Sequence, residues 1–240
     1  MAVKRSSSAS RVLKVFEHCA AYQPIGVSAL ARDLGADKSA VQRDLMTLAD
    51  AGWIRVAVGM PGQWELTPHV LTLARPPHST DSLRQRARPA LERLRGETGE
   101  TAYLTVPDGD QFVVLDALES EHLLRMVQPV GMVVRIHGTA TARAILPHLP
   151  EDEQVRLLGA PVTAAMREEF HATRARGWAV NDGDIEPSAV AMAAAIVSRQ
   201  GVPAGALVLT GPVERLPPAR RDDVGRRLRR EAEALTQAVG

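Results

Sequence analysis

PIGVSALARDLGADKSAVQRDLMTLADAGWIRVAVGMPGQWEL, residues 24–66, divides by its apolar spacing into two short amphipathic helices, a glycine turn between them, and a strand–turn–strand. Val27, Leu30, Ala31 and Leu34 recur at the i, i+3, i+4, i+7 spacing of one helical face, and Gly35 ends that helix. Asp37 is placed to cap a second helix from Lys38 to about Ala51, because its carboxylate can accept from the free N–H groups of the first turn. At 100° per residue Val41, Leu45 and Leu48 share an inward arc, while Ser39, Gln42, Arg43 and Met46 lie opposite. Gly52 stops the helix. Trp53–Val56 and Gln63–Leu66 then read as two strands around the turn Gly59-Met60-Pro61-Gly62.

This layout is a winged helix-turn-helix, whose outward face has the chemistry to read DNA. Arg43 can grip guanine in a bidentate manner and Gln42 can do the same for adenine, while Ser39 and Ala40 are small enough to let the helix N-terminus approach the major groove. Ser28, Lys38 and Gln63 complete the candidate DNA-binding set, with the wing lying over phosphate or the minor groove. The competing interpretation is a small helical scaffold that contacts protein. Charge favours nucleic acid: residues 1–75 hold nine Lys/Arg against six Asp/Glu, a balance of +3, and the remainder carries 20 against 22, or −2. A modestly basic module joined to a slightly acidic one suits sequence-selective binding better than nonspecific coating.

The chain has 240 residues, 45% hydrophobic and 24% charged, enough for one small and one medium domain. Residues 1–10 are polar and lack the apolar core of a signal peptide, and no run of about 20 apolar residues could span a membrane, so a cytoplasmic protein is expected. The single cysteine, Cys19, excludes an internal disulfide and suits a packed thiol in a first helix over about Ala9–Ala21. Seven histidines without HxH or HExxH spacing argue against a metal centre.

A boundary is expected near Arg75–Thr80, where consecutive prolines end a short helix begun near Pro68. The organisation is therefore read as residues 1–67, a linker helix over 68–80, and a second domain over 81–240. In that domain a helix begins at Pro89. The hairpin of Thr101–Val106 and Phe112–Leu118 follows, then a strand near His122–Gln128. Helices are expected over Thr139–His148, Pro150–Leu158 and Thr163–Arg176, a second hairpin from Val190–Ser198 and Ala204–Thr210, and a last helix over Pro218–Val239 with Val224, Leu228, Leu235 and Val239 inward. Helices on one side of an antiparallel sheet make an α+β domain. The arginines of the last helix, Arg220, Arg221, Arg226, Arg227, Arg229 and Arg230, read as a solvated face because Asp222, Asp223, Glu231 and Glu233 intersperse them.

An enzyme is the rival class. No Gly-x-Ser-x-Gly elbow, phosphate-binding glycine loop or metal-ligand cluster is present. His137 is the best candidate base, for which a structural role at a helix start is preferred, and backbone capping accounts for Asp182 and Asp184. A ligand-responsive protein-interaction module is a third class.

Six segments in order resemble the IclR-type transcriptional regulators: Ser28–Gly35, Lys38–Arg43, Arg88-Pro89 through Thr98-Gly99-Glu100-Thr101, His137–Ala140, Arg176–Val180 and Gly211-Pro212. The likeness spans about residues 9–237. It implies a homodimer or dimer of dimers on a palindromic operator in double-stranded DNA, in a prokaryotic, nucleoid-associated regulator; repression is the default expectation, because occupying a promoter requires no polymerase-specific surface, with an activator of a catabolic or biosynthetic operon as the alternative. It also implies a GAF-like C-terminal domain in which a small-molecule effector, with no other cofactor, alters DNA affinity. Carried over by position, the effector wall comprises Leu123, Met126, Val134, Ala140, Thr141, Asn181, Ala189, Ala191, Val208 and Thr210. This chain departs from the family pattern there. Where relatives that bind small carboxylates commonly show an acidic residue, a cysteine and two serines, it has Asn181, Ala191, Val208 and Thr210. The usual Gly-Lys is Ala142-Arg143 and the usual Arg-Cys is Val190-Ala191. With fewer donors for an oxyanion, the expected effector is less polar or bulkier than glyoxylate or pyruvate, such as an aromatic or amino-acid-derived metabolite.

Overall fold

A computed structural model describes residues 6–73 and 80–236. The chain divides into two compact units, residues 1–77 and 78–240.

The first unit runs α1 (Ser7–Tyr22), β1 (Ile25–Gly26), α2 (Val27–Asp33), α3 (Lys38–Asp50), β2 (Ile54–Val56), β3 (Gln63–Leu66) and α4 (His69–Leu73). The apolar arcs read from the sequence close on one core in which Val15, Cys19, Leu30, Val41 and Leu45 are fully buried. Asp37 caps α3 as expected, its Oδ1 accepting from Ala40 N at 3.0 Å. The wing is the antiparallel sheet β1-β3-β2, with Trp64 opposite both Ile25 and Val56. One buried charge joins the helices: Asp44 of α3 receives Arg11 Nε at 2.6 Å and Nη2 at 3.1 Å from α1. The continuation of the expected linker, Arg75–Ser79, lies outside the described residues.

Burial pushes the Cys19 thiol up to about 11, and its Sγ sits 3.7 Å from the Trp64 carbonyl. At pH 8 roughly one thiol in a thousand is then ionised. The folded protein should leave Cys19 unmodified by a thiol-reactive dye at pH 8 and react only when denaturant opens the core; rapid labelling without denaturant would contradict this burial.

The second unit runs α5 (Thr80–Thr98), β4 (Thr101–Asp108), β5 (Gln111–Leu118), β6 (Val133–Val134), α6 (Ala140–Ile145) continued by a 3-10 turn (Leu146–His148), α7 (Glu151–Leu158), α8 (Ala164–Arg176), β7 (Ala179–Asp182), β8 (Ala189–Val197), β9 (Pro203–Pro212) and α9 (Pro218–Thr236). Its sheet is antiparallel in the order β6-β5-β4-β9-β8-β7.

Helices cover both faces of this sheet rather than the single face expected. On one face Val190, Met192, Ala194 and Ile196 of β8 pack with Leu91 and Leu94 of α5 and Val224 and Leu228 of α9. On the other, Ala193 of β8 and Val208 of β9 pack with Ile145 of α6 and Phe170 of α8. The near-continuous apolar character of β8 and β9 is the signature of strands buried on both sides.

Two further expectations change. The helix expected from Pro89 begins nine residues earlier, at Thr80, and carries Pro89 inside it. Leu83 and Ala87 extend the buried stripe of Ala90, Leu91 and Leu94, and that packing outweighs the one backbone hydrogen bond the proline removes. No strand forms over His122–Gln128. Thr101 Oγ1 donates to Met126 O at 2.6 Å and Ser120 Oγ donates to Gly99 O, holding this segment as an irregular loop, and the edge strand is instead β6, with Val134 opposite Phe112. The inward residues Val224, Leu228 and Leu235 of α9 are buried as read; Val239 lies outside the described residues.

Candidate DNA-reading face and effector cavity

In the first unit, Ser28, Lys38, Gln42 and Gln63 line one shallow groove between α2, α3 and the wing, together with Arg32, which the sequence reading passed over. Ser39 and Arg43 are exposed beside it. Arg43 Nη1 donates to Ser39 Oγ at 3.3 Å, and Ser39 Oγ donates to Asp37 Oδ1 at 2.6 Å. The Ser39 hydroxyl, followed by the Ala40 N–H, holds the Asp37 carboxyl below its usual range. This chain of bonds ties the Arg43 guanidinium back toward the N-terminus of α3. Ala40 does not belong to that face: it is buried, one 100° step round the helix from Ser39, on the side of Val41 and Asp44. The wing tip, residues 57–62, carries no charged side chain, and Arg55 on β2 is held by Glu65 at 2.8 Å.

In the second unit, a cavity of about 330 Å³ opens between the sheet and the segment 126–140. Met126, Val134, Ala140, Asn181, Ala189, Ala191 and Thr210 line it. Asn181, Ala191 and Thr210 are register partners on β7, β8 and β9, so they form one row across the sheet. Three residues expected in the wall are elsewhere. Leu123 is 99% exposed, because the irregular loop turns it to solvent. Thr141 is buried one step round α6 from Ala140. Val208 is fully buried against its register partners Tyr103 and Ala193. Tyr103, Gln128, Met132, Val133, Arg135, Thr139, Ile185, Glu186 and Val190 also line the cavity and were missed.

Three polar side chains of the wall are engaged within the protein. Asn181 Nδ2 donates to Gly138 O and its Oδ1 accepts from Asp184 N; Thr210 Oγ1 donates to Val190 O; Thr139 caps α6. Arg143, at the position of the usual lysine, ties α6 to β7 through Val180 O at 2.8 Å and Asp184 at 2.6 Å. Asp182 is paired with Arg221 at 2.6 and 2.7 Å, which holds its carboxyl below the usual range. Of the other α9 arginines, Arg226 and Arg227 pair with Asp223, Arg229 with Glu233, and Arg230 with Glu97 and Glu231. Arg220 donates to the Arg215 carbonyl at 2.7 Å, and Arg221, unlike the exposed Arg226 and Arg230, is mostly buried in its pair. Among the described residues no three His, Cys, Asp or Glu come together to hold a metal, and no helix is long and apolar enough to cross a membrane.

A helix-turn-helix with a free polar reading face, joined in one chain to an α+β unit holding an apolar cavity, defines a DNA-binding transcriptional regulator. The chain belongs to the IclR family. The model of the bacterial transcriptional regulator IclR C-terminal domain matches residues 78–237 and the IclR helix-turn-helix model matches residues 8–57. Among curated relatives, the transcriptional repressor IclR of Escherichia coli is 26% identical, over 97% of this chain and 90% of its own length. The glycerol operon regulatory protein of Streptomyces griseus is 30% identical over 81% and 80%. An IclR-type regulator from Silicibacter sp. TM1040 superposes with a TM-score of 0.77 at 27% identity, covering 98% of this chain and 96% of that one. An IclR homologue from Microbacterium hydrocarbonoxydans, solved in complex with 4-hydroxybenzoate, shares the fold with a TM-score of 0.81 at 20% identity over 97% and 100%. These relatives are regulators, and this chain is a regulator rather than an enzyme.

Proposed function

We propose that the protein is a repressor that binds a palindromic operator as a dimer or dimer of dimers, and that a small organic molecule in the C-terminal cavity sets its operator affinity. The observation that carries this is the pairing of an exposed Ser39-Gln42-Arg43 face beside the Ser28-Lys38-Gln63 groove with an apolar cavity in the second unit. Relatives named as repressors support the direction of control, and the 4-hydroxybenzoate complex of a protein of the same fold supports occupancy of the cavity. With Ala191 where small-carboxylate binders carry a donor, this cavity suits a molecule bulkier and less polar than glyoxylate or pyruvate. Two recognition helices held about 34 Å apart would meet successive major grooves, and the effector would act through its different affinity for two spacings. The segment from α4 to residue 80 would transmit that difference. Function on chromosomal DNA places the protein in the bacterial cytoplasm.

Selection of bound fragments from random and genomic DNA at near-physiological salt tests the reading. One enriched inverted repeat is the expected result; no enrichment by a folded protein, with or without cell metabolites, would overturn it. Arg43→Ala should weaken that site by roughly 1–3 kcal/mol and relax selection at one base pair, as loss of a base-edge contact does. Equal losses on operator and random DNA in a filter-binding titration would instead make Arg43 a phosphate contact.

A further inference from the structure

Four polar side chains facing the effector cavity have capacity that nothing among the described residues uses. Arg135 and Glu186 stand at its solvent-exposed rim, beside Val133 and Ile185. Among the described residues neither has an ion-pair partner, and they are not bridged to each other; Glu186 Oε1 accepts only from Ser188, Oγ at 2.8 Å and N at 3.4 Å. Deeper in, Gln128 Oε1 is buried without a donor, and the Tyr103 hydroxyl makes no hydrogen bond among the described residues. Between rim and depth the wall is apolar: Met126, Met132, Val134, Ala140 and Ala191.

Two opposite charges that line one cavity without neutralising each other make a poor site for a simple carboxylate. Such an anion satisfies Arg135 and is repelled by Glu186. A simple amine meets the reverse. A molecule carrying both charges as substituents of one carbon satisfies both, and each contact is charge-assisted. Burial pushes the Tyr103 phenol well above its usual range, so it stays neutral and suits a neutral hydroxyl or amide tip. A cavity of about 330 Å³ is at the lower end of ligand pockets, the size of a single small metabolite.

We infer that the effector is an α-amino acid with an apolar or aromatic side chain: its carboxylate on Arg135, its ammonium on Glu186, its side chain along the methionine and valine wall, and any polar tip between Gln128 and Tyr103. This rests on the reading of the cavity as the effector site.

Calorimetry on the full chain with matched probes tests it: L-tyrosine and L-leucine, 3-(4-hydroxyphenyl)propionate, which lacks the amine, and tyramine, which lacks the carboxylate. L-Tyrosine or L-leucine should bind at least about tenfold tighter than the deaminated acid and the amine, as expected for one charged hydrogen bond. Glu186→Gln should weaken the amino acid and tyramine but not the deaminated acid, and Arg135→Gln should weaken both carboxylates but not tyramine. Both positions are exposed, so the variants retain the fold, which circular dichroism checks. A deaminated acid that binds as tightly as the amino acid and releases operator would overturn the zwitterion while leaving the effector reading standing. Absence of binding by L-tyrosine and L-leucine, in a protein that still selects its operator, would likewise overturn the amino-acid assignment.

Discussion

An Ala191→Phe variant should hold its operator as the unmodified protein does and fail to release it, with the effector midpoint raised at least about 100-fold, or ~2.7 kcal/mol of lost ligand binding. Ala191 stands at the centre of the row Asn181–Ala191–Thr210, and Ala140 and Ala189 complete the small-residue floor that leaves the cavity open. A benzyl group there projects into the space the ligand needs. Because that space is empty of protein atoms, the overpacking penalty should stay below the roughly 1–3 kcal/mol seen when methylenes are forced into a filled core. The recognition face is in the other unit, so DNA affinity without effector should be unchanged. Titration of effector into a preformed operator complex, read by fluorescence anisotropy, checks both halves. Release at the unmodified midpoint would show that the effector sits elsewhere.

How much of this was legible before the coordinates depends on whether the signal was local. The recognition helix was: a cap, a helical period and a terminating glycine all fall within Asp37–Gly52. Ala40 is small enough for a groove-facing position, but its angular position beside Val41 and Asp44 places it inside. Asp44 itself resisted reading because its partner Arg11 is 33 positions away. In the second unit the hairpins were legible from alternation and turn chemistry. Loop 119–132 was not, since apolar Leu123, Leu124 and Met126 imitate a strand, while Thr101 and Ser120 pin the backbone from a distance. The cavity row came through by position from family likeness. Tyr103, Gln128, Arg135 and Glu186 did not, because what marks them is the lack of a partner, which only the folded neighbourhood reveals. The alternation of β4 did offer one signal: Tyr103 falls between Ala102 and Leu104, on the face opposite the α5–α9 core.

Loss of Arg215 should be the most destabilising change outside the apolar core. Glu100 is completely buried between α5 and β4, and its carboxylate is gripped by Arg215 Nε at 2.5 Å and Nη2 at 2.8 Å. Gly211 on β9 is bare because a Cβ there would overlap the Glu100 carboxylate. The carboxylate is thus packed against backbone on one side and depends on the guanidinium, itself about a quarter exposed, on the other. Arg215→Ala leaves a buried carboxylate without its counter-charge, and the expected loss is about 3 kcal/mol, measured as a shift in urea midpoint at constant slope. Adding Glu100→Gln to that variant should recover part of it, since a neutral amide is less costly to strand than a charge. Burial, not distance, sets this magnitude. Arg167 and Glu151 are equally close at 2.5 Å, yet both are more than half exposed, and Arg167→Ala should change stability by less than about 1 kcal/mol. Arg215 also donates to Leu124 O at 3.1 Å, within the loop that brings Met126 and Gln128 to the cavity. The Arg215→Ala variant should therefore lose effector affinity as well as stability, whereas a Glu100–Arg215 pair serving stability alone would leave the effector midpoint where it was in conditions that keep the protein folded.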